Sequence, residues 1–382
     1  MWQEGPYQFI PFFVTITVIV LTDLLVGILV GLGISLAFIL KSNLRRPMRR
    51  VVEKHLGGDV VHIELSNQVS FLNRASLERT LLEVPEGGHV LLDARSTDYI
   101  DPDVLSYIRD FKENVGPAHG IKVSLKGFRR KYKLHDEILY VDYSTRELQE
   151  QMTQQQALAA LMEGNHRFRT GKQLSRDLSR QVLATSRGQH PMAVALSCID
   201  SRTPVELILD LGLGDVFSVR VAGNVISPKV LGSIEYSCLV AGAKLVLVLG
   251  HTRCGAVTAA VTQKSQHSAS GNGDCQHVNS ILSDIEESID PSECNGDDSS
   301  ERKAELVDTV AARNVRRSAQ LILEQSSAVR KMTEEGRLAV VGAMYDVATG
   351  KIEFFSDCMY GLPEESVAEL QEANQEQEQA VT

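Results

Sequence analysis

The chain has 382 residues, enough for two or three domains of ordinary size. A formal net charge of −10 excludes a general nucleic-acid binder, because a phosphate backbone selects basic surfaces. Six cysteines without a secretory cleavage pattern fit a reducing compartment rather than a disulfide framework.

The first segment, residues 1–58, opens with two apolar runs, Phe9 to Leu21 and Leu24 to Leu40, broken by Thr22 and Asp23. A single span needs ~20 residues, so the stretch is long for one helix and short for two with a turn. Two arrangements follow: one tilted crossing helix, or two short helices meeting in the membrane at Asp23, which would demand a polar neighbourhood. Lys41, Arg45, Arg46, Arg49, Arg50 and Lys54 then place the C-terminal flank on the cytoplasmic side. The run QFIPFFVTITVIVLTDLLVGILVGLGISLAFILK resembles the last two short transmembrane segments of sulfate-permease (SulP-type) anion transporters. That resemblance implies that the helices building the anion site are missing, and that the chain is a piece of a longer transporter or a truncated form.

Residues 59–149 form the second segment. DVVHIELS alternates as a strand, RASLERTLLEV has helical periodicity, GGHVLLDAR is a buried strand, PDVLSYIRDFKENV a helix and GIKVSLKGF a third strand. This strand-helix-strand-helix-strand order resembles STAS domains, which follow the membrane part of those transporters. Asp93 to Asp103 falls at their characteristic loop. In bacterial anti-sigma antagonists a phosphorylatable Ser or Thr follows Ile-Asp there, whereas Ile100-Asp101 precedes Pro102 here, which argues against a phosphoswitch. A docking or regulatory module without chemistry is the expectation.

Residues 150–382 carry the chemistry. Helical sequence through EGNHRF leads to an apolar run, Met192 to Leu196, that ends at Cys198; a second run, Leu245 to Leu249, ends at His251 and Cys254. Ligands gather beyond the carboxyl ends of parallel strands, and two thiols with an imidazole are a zinc donor set. Asp200 is available as a fourth ligand. In an extended segment Cys198, Asp200 and Arg202 would share one face, so that Arg202 could hold the Asp200 carboxylate bidentately and decide whether it binds the metal.

Cys-x-Asp-x-Arg followed by His-x-x-Cys resembles the β-class carbonic anhydrases, over roughly residues 152 to 358, with AGN, SIEYSC and NV…VVGAMYDVATGKIEF as further matches. The resemblance implies an α/β fold with a central, mostly parallel sheet, zinc bound by Cys198, His251 and Cys254, and a gating pair Asp200 and Arg202. Asp200 would ligate only in the closed state. It also implies that Gln189 hydrogen-bonds substrate, and that the domain is a homodimer or higher oligomer. Where the family usually has Arg-Asn-Ala-Gly-Asn and Cys-Gly-Gly, this chain has Val221 and Ala256. Ala195 and Ser197 replace the Trp and Gly that accompany an inhibitory bicarbonate pocket, so that regulation is not expected.

Within this domain, residues 262–303 are polar and suit a surface insertion, and residues 362–382 form an acidic tail. Cys275, His277 and Cys294 have no strand context for a second metal site; Cys238 and Cys358 suit packing. His166 and His190 are proton-shuttle candidates by chemistry alone. The expected function is zinc-dependent reversible hydration of CO2 to bicarbonate, tethered to a membrane with the STAS-like and anhydrase domains in the cytoplasm. The alternatives are an anhydrase domain that only docks on or regulates a bicarbonate or sulfate carrier, and a CS2 or COS hydrolase with the same ligands.

Overall fold

The computed structural model describes residues 6–45, 48–140, 143–265, 277–295, 300–363 and 367. The chain divides into two compact units, Met1–Tyr140 and Val141–Thr382.

The first unit begins with α1 (Pro6–Leu21) and α2 (Leu24–Arg45). Of the two arrangements expected, the broken one forms: Asp23 Oδ1 accepts the Val26 amide at 2.9 Å and so restarts the helix after Thr22. The helices pack side by side where only glycine fits, since a Cβ on Gly27 would lie 2.2 Å from Ile19 and one on Gly31 1.8 Å from Thr15. Among the described residues no helix is long and apolar enough to cross a membrane, so the single crossing helix is corrected to a helical pair.

The basic stretch expected as a linker is in part a strand. In β1 (Met48–His55), Arg50, Val52 and Lys54 point out while Glu53 and His55 are buried, a period of two that pairs antiparallel with β2 (Gly58–Leu65). Short β3 (Gln68–Val69), α3 (Arg74–Leu82), β4 (His89–Asp93), short β5 (Tyr99–Ile100), α4 (Pro102–Asp110), the single turn α5 (Gly116–Ala118) and β6 (Lys122–Lys126) follow. The sheet order is β1-β2-β4-β6, with β2, β4 and β6 parallel, and β3 pairs with β5 apart from it. Leu77, Leu81, Val104 and Ile108 of the helices pack with Val61, Ile63, Val90, Leu92 and Val123 on one sheet face. The other face holds a buried polar chain. Glu53 meets His55 Nε2 at 2.9 Å and His62 Nδ1 at 2.6 Å, and His62 Nε2 meets Asp93 at 3.3 Å. Asp93 is gripped by Arg95 through bonds of 2.6 to 3.1 Å.

The second unit starts with α6 (Arg146–Gln151), α7 (Gln154–Thr170) and α8 (Leu178–Thr185). Then come β7 (Ala193–Ser197), α9 (Val205–Ile208), β8 (Val216–Arg220), α10 (Pro228–Glu235), β9 (Leu245–His251), α11 (Gly255–Ser265), α12 (Val278–Glu286), α13 (Ser300–Gln325), α14 (Ser327–Glu334), β10 (Ala339–Tyr345) and β11 (Ile352–Tyr360). The five-stranded sheet has the order β11-β10-β9-β7-β8; only β11 runs antiparallel. Its central strands β7, β9 and β10 are buried on both faces, as their unbroken apolar runs require. The polar insertion is corrected in part: α12 buries Leu282 and Ile285 against the core. Cys275 and most of residues 362–382 lie outside the described residues, as does the side chain of Cys294.

Candidate metal centre

Because β7 and β9 are adjacent and parallel, with Ser197 level with Leu249, Cys198 and His251 leave the sheet side by side at its carboxyl edge. Cys254 follows one tight turn later, held by Arg253 in a left-handed conformation (φ 56°) whose amide donates to Asp308 Oδ1 at 2.7 Å. Thr252 anchors the same turn, its amide donating to Tyr345 O at 2.9 Å. The donor atoms of Cys198, His251 and Cys254 all lie within 4.8 Å of one another, and all three residues are buried.

Their chemistry fits zinc. The two sulfurs are 3.9 Å apart, and Zn–S bonds of ~2.3 Å at a tetrahedral angle require ~3.8 Å. His251 Nδ1 donates to the Thr252 carbonyl at 2.9 Å, which fixes Nε2 as the lone-pair nitrogen, and Nε2 is buried without a hydrogen-bond partner. A buried nitrogen left unpaired is costly, and a metal would satisfy it. Of the two thiols taken by themselves, Cys198 is pulled down to about 4 by the hydrogen bond from Cys254, with the Gly223 amide adding to it. Cys254 is pushed up by giving that bond and by burial.

Asp200 and Arg202 pair as expected, but by a different backbone. Residues 198–200 are irregular, and a turn closed by Thr203 N to Asp200 O at 3.1 Å folds Arg202 back. Arg202 Nε and Nη2 donate to the two carboxylate oxygens at 2.9 and 2.7 Å, and the Arg202 amide adds a third bond at 2.9 Å. The guanidinium holds the Asp200 carboxyl well below the usual carboxylate range. Asp200 Oδ2 stands 3.9 Å from His251 Nε2, close enough to face the donor cluster while remaining tied to Arg202.

Gln189 is not gathered with these groups in the same chain. It precedes β7, whereas Cys198 follows it, so the strand's length, ~17 Å at ~3.3 Å per residue, separates them. Gln189 instead lines a cleft of about 490 Å³ with His190, Phe217, Tyr236, Arg146 and Lys244. Of the shuttle candidates, His190 lies in that cleft and His166 is on α7. Cys238 and Cys358 are free, buried thiols, pushed up by burial to about 12 and about 11.

Three contributors have no ligand chemistry and so were not singled out in the sequence. Arg220, at the end of β8, donates to the carbonyls of Cys198 and Asp200 at 3.0 and 2.6 Å, clamping the loop. The Gly223 amide donates to Cys198 Sγ at 3.4 Å, and Asn314 donates to the Gly223 carbonyl at 2.7 Å. The matches AGN and NV contained two of these residues, but only the fold assigns them a task.

A mostly parallel sheet ending in a buried Cys-His-Cys group that could hold a metal, beside an Arg-held Asp, defines an α/β protein with a candidate metal site. Comparison with known proteins agrees: the carbonic anhydrase family model matches residues 193–352. Carbonic anhydrase 2 of Mycobacterium tuberculosis is 38% identical over 200 residues, 51% of this chain and 89% of the relative. A carbonic anhydrase of Mycolicibacterium smegmatis is 39% identical over 204 residues, 52% of this chain and 92% of the relative. Among solved structures, a β-carbonic anhydrase of Aspergillus fumigatus aligns at 28% identity and a TM-score of 0.40, covering 51% of this chain and 88% of that one. The chain belongs to the carbonic anhydrase family and is a carbonic anhydrase, catalysing hydration of CO2.

Proposed function

We propose that the second unit hydrates CO2 reversibly at zinc held by Cys198, His251 and Cys254, with Asp200 kept off the metal by Arg202. The observation that carries this is the Asp200 carboxylate bound through both oxygens to Arg202 while facing the unpaired His251 Nε2. Bound zinc supplies a Lewis acid that makes hydroxide available from water near neutral pH. Asp200 then accepts a hydrogen bond from the nucleophile and orients it; Arg202 keeps the carboxylate ionised and stops it from closing the site. Stopped-flow CO2 hydration by the zinc-loaded full chain tests this. Wild type should turn over, whereas Cys198→Ala should bind little zinc and fall to the uncatalysed rate; equal rates would refute the assignment. Assaying CS2 and COS on the same sample separates the hydrolase alternative.

Gln189 serves, in this reading, the metal centre of a second copy. Its distance from its own Cys198, its open cleft, and exposed Ile199, Leu207, Tyr236 and Val240 support an assembly in which one chain's cleft completes its partner's pocket.

The first unit we read as a membrane tether and a STAS-like docking module of a SulP-type carrier, with both soluble parts on the cytoplasmic side. The helical pair supports this: Phe13, Val20, Leu21, Leu25 and Leu32 are 59 to 78% exposed, an apolar surface unlike that of a water-facing hairpin. A bicarbonate carrier would gain most from an adjacent hydratase. Reconstituted full-length carrier moving sulfate but not bicarbonate would refute that coupling.

A further inference from the structure

α13 packs an apolar stripe, Val307, Val310, Ala311, Val315, Ala319 and Ile322, against the sheet. Two polar residues four apart interrupt it, Asn314 and Ser318, each 1% exposed. Burying them is costly unless their donors are used, and both donors go to one place. Asn314 Nδ2 donates to the Gly223 carbonyl at 2.7 Å and Ser318 Oγ to the Asn224 carbonyl at 3.1 Å.

The turn they hold has an uncommon shape: Gly223 (φ 65°) and Asn224 (φ 44°) are consecutive left-handed residues, a conformation that most side chains disfavour. A Cβ on Gly223 would fall 2.5 Å from Ile285 Cδ1. Within the turn the Asn224 backbone amide donates to the Val221 carbonyl at 3.0 Å, while its side-chain nitrogen is buried without a partner. α13 adds a side-chain donor to each of the two carbonyls of this turn, and the turn aims the Gly223 amide at Cys198 Sγ, 3.4 Å away.

We propose that Asn314, seconded by Ser318, is a positioning residue for the metal centre: it fixes the 222–224 turn so that the Gly223 N–H draws charge from the Cys198 sulfur. Two thiolates weaken a metal's Lewis acidity, and a directed N–H on one of them restores part of it. This inference rests on the assignment of Cys198 as a ligand.

The test uses the full chain loaded with cobalt(II), whose thiolate-to-metal charge-transfer band reports the electron density on sulfur. Asn314→Ala should move that band to longer wavelength, because the sulfur regains charge, and should weaken cobalt affinity ~10-fold in chelator competition. Ser318→Ala, the milder change, should shift the band in the same direction by less. Weaker binding with the band unmoved in both variants would mean that α13 merely supports the fold, and would overturn the proposal. If Asn314→Ala does not fold, as judged by circular dichroism, Ser318→Ala decides alone, an unmoved band refuting. A wild-type sample with no thiolate band would instead overturn the ligand assignment beneath the proposal.

Discussion

At the residue scale, each proposed metal ligand is also a proposed folding contact, because a metal site does not exist in the unfolded chain. His251→Ala should therefore lose most of its zinc and lower the thermal midpoint, and elemental analysis with full metal content would refute the ligand set. Arg202 has a different signature. Arg202→Ala should keep its zinc while activity at pH 7 falls at least ~10-fold, since an untied Asp200 can take the open position; unchanged activity would remove the gate. The buried chain in the first unit predicts a pH response. Burial opposes charge on His62, but bonds to Asp93 and Glu53 outweigh it and raise His62 from 6.5 to about 9. Burial likewise opposes charge on Glu53, yet bonds from His55 and His62 lower it from 4.5 to about 2. The His62 contribution is complete below pH 6.5 and is lost as pH rises through about 9; the Glu53 contribution is complete above pH 4.5 and is lost as pH falls through about 2. Protection of the β1 and β2 amides against hydrogen exchange, corrected for intrinsic rates, should hold from pH 5 to 6.5 and fall by pH 9.5. A flat profile would show that the network is not ionic.

At the element scale, α7 illustrates how a helix is pinned by what it lacks. Thr153 caps it in a reciprocal pair with Gln156, and Gly171 (φ 67°) ends it. Between them Gly164 meets the Leu209 carbonyl so closely that a Cβ would lie 1.9 Å away. Asn165, the next residue, donates to the carbonyls of Ile208 and Gly350 at 3.0 and 2.9 Å and accepts from the Ile352 amide at 3.0 Å. Gly164→Ala should cost ~1–3 kcal/mol by overpacking, or ~2–4 °C of midpoint per kcal/mol, in a melt of the full chain. An unchanged melt would show that α7 can slide. Helix α12, within the polar insertion, is a second case at this scale. Val278 to Glu286 sits in a polar stretch, yet Ile281, Leu282 and Ile285 recur at helical spacing, and that was enough to bury one face of α12.

At the scale of the whole molecule, the exposed apolar residues near the Gln189 cleft predict a homodimer or a higher multiple. Light scattering that found an active monomer would refute it. The helical pair predicts that the full chain stays with membranes through alkaline carbonate extraction, and its release into the supernatant would make Phe9 to Leu40 a soluble hairpin.

The sequence alone singled out the three residues that the fold gathers into a candidate donor set. Cys198, His251 and Cys254 are chemically distinctive, and each follows an unbroken apolar run, so their convergence at one sheet edge follows from the parallel packing of buried strands. It also determined β2, α3, β4, α4 and β6 of the first unit, whose periodicities are local, but not β1, which reads as a basic linker until β2 pairs with it. It did not determine how Asp200 meets Arg202, because that pair forms through a turn rather than along an extended strand. Nor did it place Gln189 at the opposite end of β7, or give tasks to Arg220, Gly223 and Asn314. Those residues act by donating hydrogen bonds to backbone or sulfur atoms brought near by the fold, 91 positions away between Gly223 and Asn314. A hydrogen-bond donor of an ordinary residue type carries no mark of its partner in sequence, so only the tertiary structure decides which groups orient the ligands.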